Sequence, residues 1–389
     1  MAVAGIYLSR SAKMFVKLGG NIWELPILEG YSLSQSSNTS EVTLNEAAGS
    51  GGASRRGRRI FNDSLAPAEF SFSTYVRPFQ STGTGTGKAT TTDNETHAVE
   101  EVLWAMMAGA DTYTANNAYP FSKGSASSST NVITPTGATK TAINWGQSNV
   151  VQLGTGFSLI FQIEEQDSDA GFLTYTIDGA VINEATIDFD IEGIATINWS
   201  GMGTAIAEAA TEITPTIYEG TTATNNFIQN KISTCTIDSS GSNFTGMLDA
   251  YNVTLTGGSI TISNNISFLT PAELDKINKP IGHVTGTRSI SGNFTCYLDG
   301  TTAGSADLFE DLSGSLISGT TSAITNSMAL TFVLGGASAP KLSVILPTCN
   351  VQVPTHSFDD VISVDVAFDA LGSNLENADE LTLEYVGPA

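Results

Sequence analysis

Residues 185–192 read Ala-Thr-Ile-Asp-Phe-Asp-Ile-Glu, a strict alternation of apolar and polar side chains. In a strand, successive side chains point to opposite faces. Ile187, Phe189 and Ile191 therefore share one face, and Thr186, Asp188, Asp190 and Glu192 the other. Residues 361–370 (VISVDVAFDA) repeat the pattern, with Ile362, Val364, Val366 and Phe368 inward and Ser363, Asp365 and Asp369 outward. Further runs begin at Phe70, Phe72 and Thr74, and at Leu173, Tyr175 and Ile177. Such alternation predicts half-buried antiparallel sheet and a mainly β fold.

Helical pattern is scarce. Val99, Val102, Leu103 and Met106 form an i, i+3, i+4, i+7 stripe that predicts a helix over 97–107, with Thr96 as N-cap and Gly109 as stop. Shorter helices are expected over 307–312, capped by Ser305, and over 271–277, capped by Thr270 with Pro271 at the first position. Residues 47–57, 80–96 and 122–142 are small and polar and read as loops.

The order of elements recurs. A strand at 72–77, a polar loop, a helix, strands near 157–164 and 173–177, and the alternating strand 185–192 fill the first half. A strand at 294–299, a short polar loop, a helix, strands at 328–334 and 342–346, and the alternating strand 361–370 fill the second. Tyr75-Val76 matches Tyr297-Leu298, and residues 176–182 match 345–351. This predicts a duplication with its boundary near 201–214.

Composition narrows the function. The 389 residues contain 39 Asp plus Glu against 16 Lys plus Arg, a net charge of -23. Charged residues are only 14% of the chain, against about 25% in average domains. The acidity thus reflects missing cations, and it opposes a sequence-independent grip on nucleic acid. Apolar residues, at 41%, suffice for a core. No apolar run reaches the ~20 residues of a membrane helix, and the N-terminus lacks a secretion-signal pattern, so neither is expected. Cys235, Cys296 and Cys349 are odd in number and not spaced like metal ligands, which suits a reducing compartment.

Motifs for chemistry are weak. Residues 83–89 (GTGTGKA) lack the spacing and the closing Ser or Thr of a phosphate loop. Asp188, Asp190 and Glu192 form a carboxylate row without the turn of a calcium loop. Paired-carboxylate glycosidase chemistry has no two acids placed across a cleft. His97, His283 and His356 have no partner at metal-ligand spacing and read as packing or surface residues. Catalytic residues, metals and cofactors are not expected. Arg55, Arg56, Arg58 and Arg59 form the one compact basic cluster. Nucleic-acid contact, a targeting patch and docking on an acidic neighbour compete as readings. In so acidic a chain the nearest acidic surface is another copy, which favours docking.

Two stretches resemble bacteriophage tail tube proteins. One is residues 29–76, from EGYSLSQSSNTSEVTLN at 29–45 through the arginine cluster to RIFNDSLAPAEFSFSTYV at 59–76; the other is residues 172–200, containing YTIDGAVINEATIDFDIEGIATINWS at 175–200. The second half is similar chiefly through the repeat. The resemblance implies two tandem β-sandwich or barrel-like tube domains, residues 1–205 and 206–389, each with a short flanking helix. It implies strands lent to an inner barrel, a homotrimeric ring with pseudo-sixfold symmetry, stacking of rings through long loops, and DNA passage through the bore during ejection. Expected partners are further copies of the chain, tape measure, tail terminator and baseplate proteins and, if the tail is contractile, sheath proteins. The implied location is the virion tail, after assembly in the host cytoplasm. On this reading Asp188, Asp190, Glu192, Asp365 and Asp369 line the bore, and the four arginines contact an adjacent subunit or ring. A surface adhesin or carbohydrate-binding β protein is the alternative, and a glycan-degrading virion enzyme a third reading.

Overall fold

The computed structural model describes residues 7–43, 57–80, 96–109, 112–113, 121–122, 132–135, 140–144, 156–165, 171–218, 220–242, 244, 246–275, 277–317, 326–373 and 379–388. The first half begins with β1 (Tyr7–Leu18), β2 (Asn21–Leu25), β3 (Ser32–Ser34), β4 (Ser37–Val42), β5 (Arg59–Leu65), β6 (Ala68–Tyr75), β7 (Pro78–Gln80), β8 (Thr96–Ala98) and α1 (Glu101–Ala108). It continues with β9 (Thr112–Tyr113), β10 (Phe121–Ser122), β11 (Val132–Pro135), β12 (Lys140–Asn144), β13 (Phe157–Glu165), β14 (Phe172–Asp178), β15 (Val181–Asp190), β16 (Thr196–Gly203) and β17 (Ala205–Ala209). The second half has β18 (Thr234–Asp238), β19 (Ala250–Val253), β20 (Leu255–Ser263), β21 (Ser267–Leu269), β22 (Gly282–Val284), β23 (Ser289–Tyr297) and α2 (Ser305–Ile317). It ends with β24 (Met328–Leu334), β25 (Lys341–Val351), β26 (Thr355–Phe358), β27 (Ile362–Ala370) and β28 (Thr382–Val386).

The fold is mainly β, as the alternation predicts, and its described strand pairs are antiparallel. One sheet runs β17-β14-β13-β1-β2. In the second half, β28-β25-β24-β18-β19 follow the same order. A second series, β3-β6-β16-β15, continues directly into β20-β23-β27, with β26 on the far side of β27. The pairing of β15 with β20, from Glu184 opposite Ser263 to Asp190 opposite Gly257, joins the halves into one sheet. Strand order sets β27 in the place that β16 holds, so the alternating strand 361–370 corresponds to β16 rather than to residues 185–192. β17 still pairs with β14, so the chain crosses between halves only after Ala209.

One face of this central sheet is dry. Phe72, Trp199, Ile187, Phe189, Ile260, Phe294, Val366 and Phe368 on successive strands are at most 3% exposed. Phe189, Phe294 and Phe368 gather around Phe332 of β24 at ring separations of 5.6, 5.8 and 5.6 Å, the spacing of favourable aromatic pairs. Phe189 belongs to the first half and Phe332 to the second, so one core cluster runs through both. Trp104 of α1 meets Trp199 edge-on at 4.6 Å.

The helices differ from expectation. Thr96 lies in β8 and not at a helix N-cap; α1 starts at Glu101, and Glu100 at its N-cap makes no side-chain cap bond. Gly109 does stop it, at φ 87°, with its N–H on the Ala105 carbonyl. α2 is longer than expected, running to Ile317. Ser305 is its first residue rather than its cap; the Oγ donates to the Tyr297 carbonyl at 2.8 Å, and Asp307 accepts the Ala303 N–H at 2.8 Å. No helix forms among the described residues of 271–277. Leu274 is 97% and Ile277 59% exposed, so the apolar stripe has nothing to pack on, and Asn278 instead closes a loop onto Glu273. Within 122–142, read as loop, β11 and β12 pair with each other, and β12 pairs with β28 across the halves. Of the other expected loops, 47–56 and 81–95, with the Gly-rich stretch 83–89, lie outside the described residues.

Gly258 sits where the junction is tightest. An added Cβ would lie 2.6 Å from the Asn293 carbonyl oxygen and 2.8 Å from the Phe189 ring, whereas one on Gly241 would meet nothing within 4 Å. Gly258→Ala should therefore destabilise the protein by about 1–3 kcal/mol, and Gly241→Ala should stay within about 0.5 kcal/mol. Urea unfolding of both variants measures the difference.

Candidate functional site

The wet face of the central sheet is the feature that the fold builds most deliberately. Register lines up rows of polar side chains across it. Ser73, Asn198, Thr186, Thr261, Ser291 and Asp369 form one row, each opposite the next. Asp190, Gly257, Thr295, Asp365 and Thr355 form another. Carboxylates from both halves thus come to one surface, and no Lys or Arg occurs in β6, β16, β15, β20, β23 or β27.

Hydrogen bonds tie this face together. Ser73 donates to Asn198 at 2.5 Å, and the Asn198 amide donates to Asp188. Thr186 and Thr261 pair at 3.0 Å. Ser259 donates to Asn293 at 3.2 Å, and Asn293 donates to Asp365 at 3.0 Å. Partial burial pushes the Asp188 carboxyl above its ordinary value, opposed by the bond from Asn198. Asp190, Asp365 and Asp369 are exposed.

Glu192 departs from the expected row. β15 ends at Asp190, whose carboxylate accepts the Ile191 N–H at 2.8 Å, and Gly193 closes the turn on the Asp190 carbonyl at 3.1 Å. Glu192 therefore projects from a turn, and Ile191 is only half-buried. Asp188, Asp190, Asp365 and Asp369 share the sheet face as expected. Of the arginines, Arg58 grips Glu41 through two 2.6 Å bonds within the β4–β5 hairpin. Arg59 pairs with Val42 on that hairpin, while Arg55 and Arg56 lie outside the described residues.

The histidines pack against neighbours. His97 is buried against Phe79 and bonds Glu101 at 2.9 Å. His283 lies on Phe268, and His356 meets Phe309 edge-on at 4.6 Å. Cys235, Cys296 and Cys349 are free and buried, and burial pushes their thiols up, away from the reactive thiolate. No group of ligating side chains fit for a metal occurs among the described residues, and no described helix is long and apolar enough to cross a membrane.

A buried polar cluster escaped sequence reasoning. Arg77 donates to the carbonyls of Gly220, Thr221 and Ala223 at 3.1, 2.8 and 2.9 Å, and lies 4.5 Å from the centre of the Phe227 ring. It pins the crossing between the halves. The Arg77 N–H reaches Glu100 at 3.2 Å. Glu100 also accepts from Tyr385, whose hydroxyl in turn accepts the Trp104 indole N–H at 2.7 Å. These partners lie far apart in sequence, so periodicity carries no signal of them.

A family model for phage tail tube proteins matches residues 103–370. The chain belongs to the phage tail tube protein family. It is also 29% identical over 392 aligned residues to the tail tube protein pb6 of Escherichia phage T5, covering 96% of this chain and 75% of that protein. As a member of a structural family it works in the virion tail, assembling with its own kind into a tube.

Burial pushes the Glu100 carboxyl up to about 7, outweighing the bonds from Tyr385 and the Arg77 N–H. The folded protein then keeps a proton that the unfolded chain releases near pH 4.5. Glu100's contribution is complete below about pH 4.5 and is lost as pH rises through about 7. At ~1.4 kcal/mol per pH unit the loss amounts to about 3 kcal/mol. Unfolding free energies between pH 4.5 and 7.5 should fall less steeply in Glu100→Gln than in the wild type.

Proposed function

We propose that this tail tube protein forms closed rings that stack into a hollow tube, with the wet face of the central sheet lining the bore through which DNA leaves. The observation that carries this reading is the gathering of Asp188, Asp190, Asp365 and Asp369 on one cation-free face, opposite a shared core. DNA is negative along its whole length. A wall of carboxylates repels it, and hydroxyls and amides bonded to one another offer its phosphates little purchase. The repulsion acts within about 8–10 Å at physiological salt, so it keeps DNA off the wall without blocking the channel.

The recurring strand order supports two tandem tube domains, with the boundary moved from 205/206 to just past Ala209, because β17 still pairs with β14. Three chains then supply six domains, giving a trimeric ring with pseudo-sixfold symmetry. The exposed β4–β5 hairpin, with Arg58, Arg59 and the neighbouring Arg55 and Arg56, reaches the acidic edge of an adjacent ring. Single exposed ion pairs contribute little; repetition along the tube makes them count. Tape measure, terminator and baseplate proteins, and sheath proteins if the tail is contractile, are its further partners, and assembly takes place in the host cytoplasm.

Native mass measurement of isolated rings should give three chains; six would contradict the trimer. Replacing Arg55, Arg56, Arg58 and Arg59 by Ser should shorten tubes and lower the salt concentration at which they fall apart into rings; unchanged length and salt resistance would contradict the stacking role. Virions carrying Asp190→Lys, Asp365→Lys and Asp369→Lys should assemble but release DNA several-fold more slowly, measured by dye-accessible DNA after triggering. Unchanged release would remove these residues from the bore.

A further inference from the structure

The halves meet at a second place besides β15 and β20. β28, the last described strand, lies between β25 of the second half and β12 of the first. Leu381, Leu383 and Tyr385 turn inward from it and are buried. Tyr385 reaches into the first half, where its hydroxyl accepts the Trp104 indole N–H at 2.7 Å and donates to Glu100. α1, which carries Trp104, is buried along its whole length. Past β28 the first half keeps its hold. Gln80 of β7 donates its N–H to the Pro388 carbonyl at 3.3 Å, and Gly387 runs so close to β7 that a Cβ would lie 2.3 Å from the Phe79 carbonyl carbon. Just before β28, Arg288 donates to Glu380 at 2.7 Å. We propose that β28 is a pH-sensitive strap, seated across the first half while Glu100 carries its proton and lifted locally, with the central sheet intact, when that proton leaves.

The geometry around Glu100 makes it the latch. Its side chain is 1% exposed and meets the Arg77 N–H at 3.2 Å and the Tyr385 hydroxyl. The Arg77 guanidinium points its donors at the carbonyls of Gly220, Thr221 and Ala223 and at Asn226, so it is committed to the crossing segment. His97 of β8 bonds Glu101 at 2.9 Å, and Glu101 adds a second acid near Tyr385. Glu24 and Tyr218 border the small cavity beside His97. Water reaches Glu100 only if a covering element moves. β6 is locked between β3 and β16, and α1 packs against β15. β28 is the last described strand and can lift without dragging another described strand with it.

The direction of the switch follows from linkage. With the strap seated, burial keeps the Glu100 carboxyl neutral up to about pH 7; with the strap lifted, water restores the ordinary value of 4.5. Between these values the lifted state sheds a proton that the seated state keeps. Opening is therefore favoured tenfold more for each pH unit above 4.5 and levels off near 7, about 300-fold in all. The strap is tightest in acid. Lifting it uncovers the edge of β25 and the dry side of α1, an open strand edge that the seated strap keeps covered. None of this depends on the ring reading.

Native-state hydrogen exchange of the full chain tests the strap, read on peptides spanning 380–388 and 257–263 and corrected for the intrinsic exchange rate at each pH. In the wild type, opening at 380–388 should rise about 300-fold from pH 4.5 to 7.5. It should respond weakly to low urea, because little surface is exposed. Residues 257–263 of β20 should stay the better protected at every pH and follow the steep urea dependence of global unfolding. Glu100→Gln should flatten the pH dependence at 380–388, and Tyr385→Phe should raise opening there already at pH 4.5. The proposal is overturned by a strap that opens only with the global transition, by opening that does not vary with pH, by a pH dependence that survives Glu100→Gln, or by a Tyr385→Phe strap as closed as the wild type at pH 4.5. The wild-type readings decide the matter even where a variant fails to fold.

Discussion

The backbone pairing of β15 with β20 is the interaction on which the rest of the structure depends. It turns two sets of strands into one sheet with one dry face and one wet face. Its register cannot drift: a shift of one residue would turn Phe189 and Ile187 out to water and drive Asp188 into the core. Phe189, seated among the second half's aromatics, and Gly258, which leaves room for that ring, fix the register from the packing side. The dry face makes the core, and the wet face becomes available for a task that needs breadth rather than a pocket.

Alternation made the sheet legible. Residues 185–190 and 362–369 announce their faces because one side of each strand is buried and the other is wet. The same rule failed one residue further on, at Glu192, where Gly193 turns the chain and periodicity no longer applies. The stripe at 271–277 misled because it has helical spacing with no surface to cover it. The strand order does recur, but β27 takes the place of β16, so the second alternating run aligns with residues 196–203 and not with 185–192. Arg77, Glu100 and Tyr385 left no trace, since each finds its partners across long stretches of chain and none repeats.

Charge and burial divide the work between the two faces. On the wet side, Asn198 and Asn293 each accept from a hydroxyl and donate to a carboxylate, so the acids sit in a bonded lattice rather than as loose charges. On the dry side, Arg77 spends its donors on the carbonyls of the crossing segment, which keeps that connection in place while the sheet runs on beside it. If this face lines the bore as proposed, these bonds give the wall a stiff surface whose polar groups already have partners.

Electron cryo-microscopy of assembled tubes, at a resolution that shows side chains, tests the central claim most directly. The account predicts that in every ring the sheet faces inward and Asp188, Asp190, Asp365 and Asp369 border the channel. A map that places these carboxylates on the outer wall would contradict it.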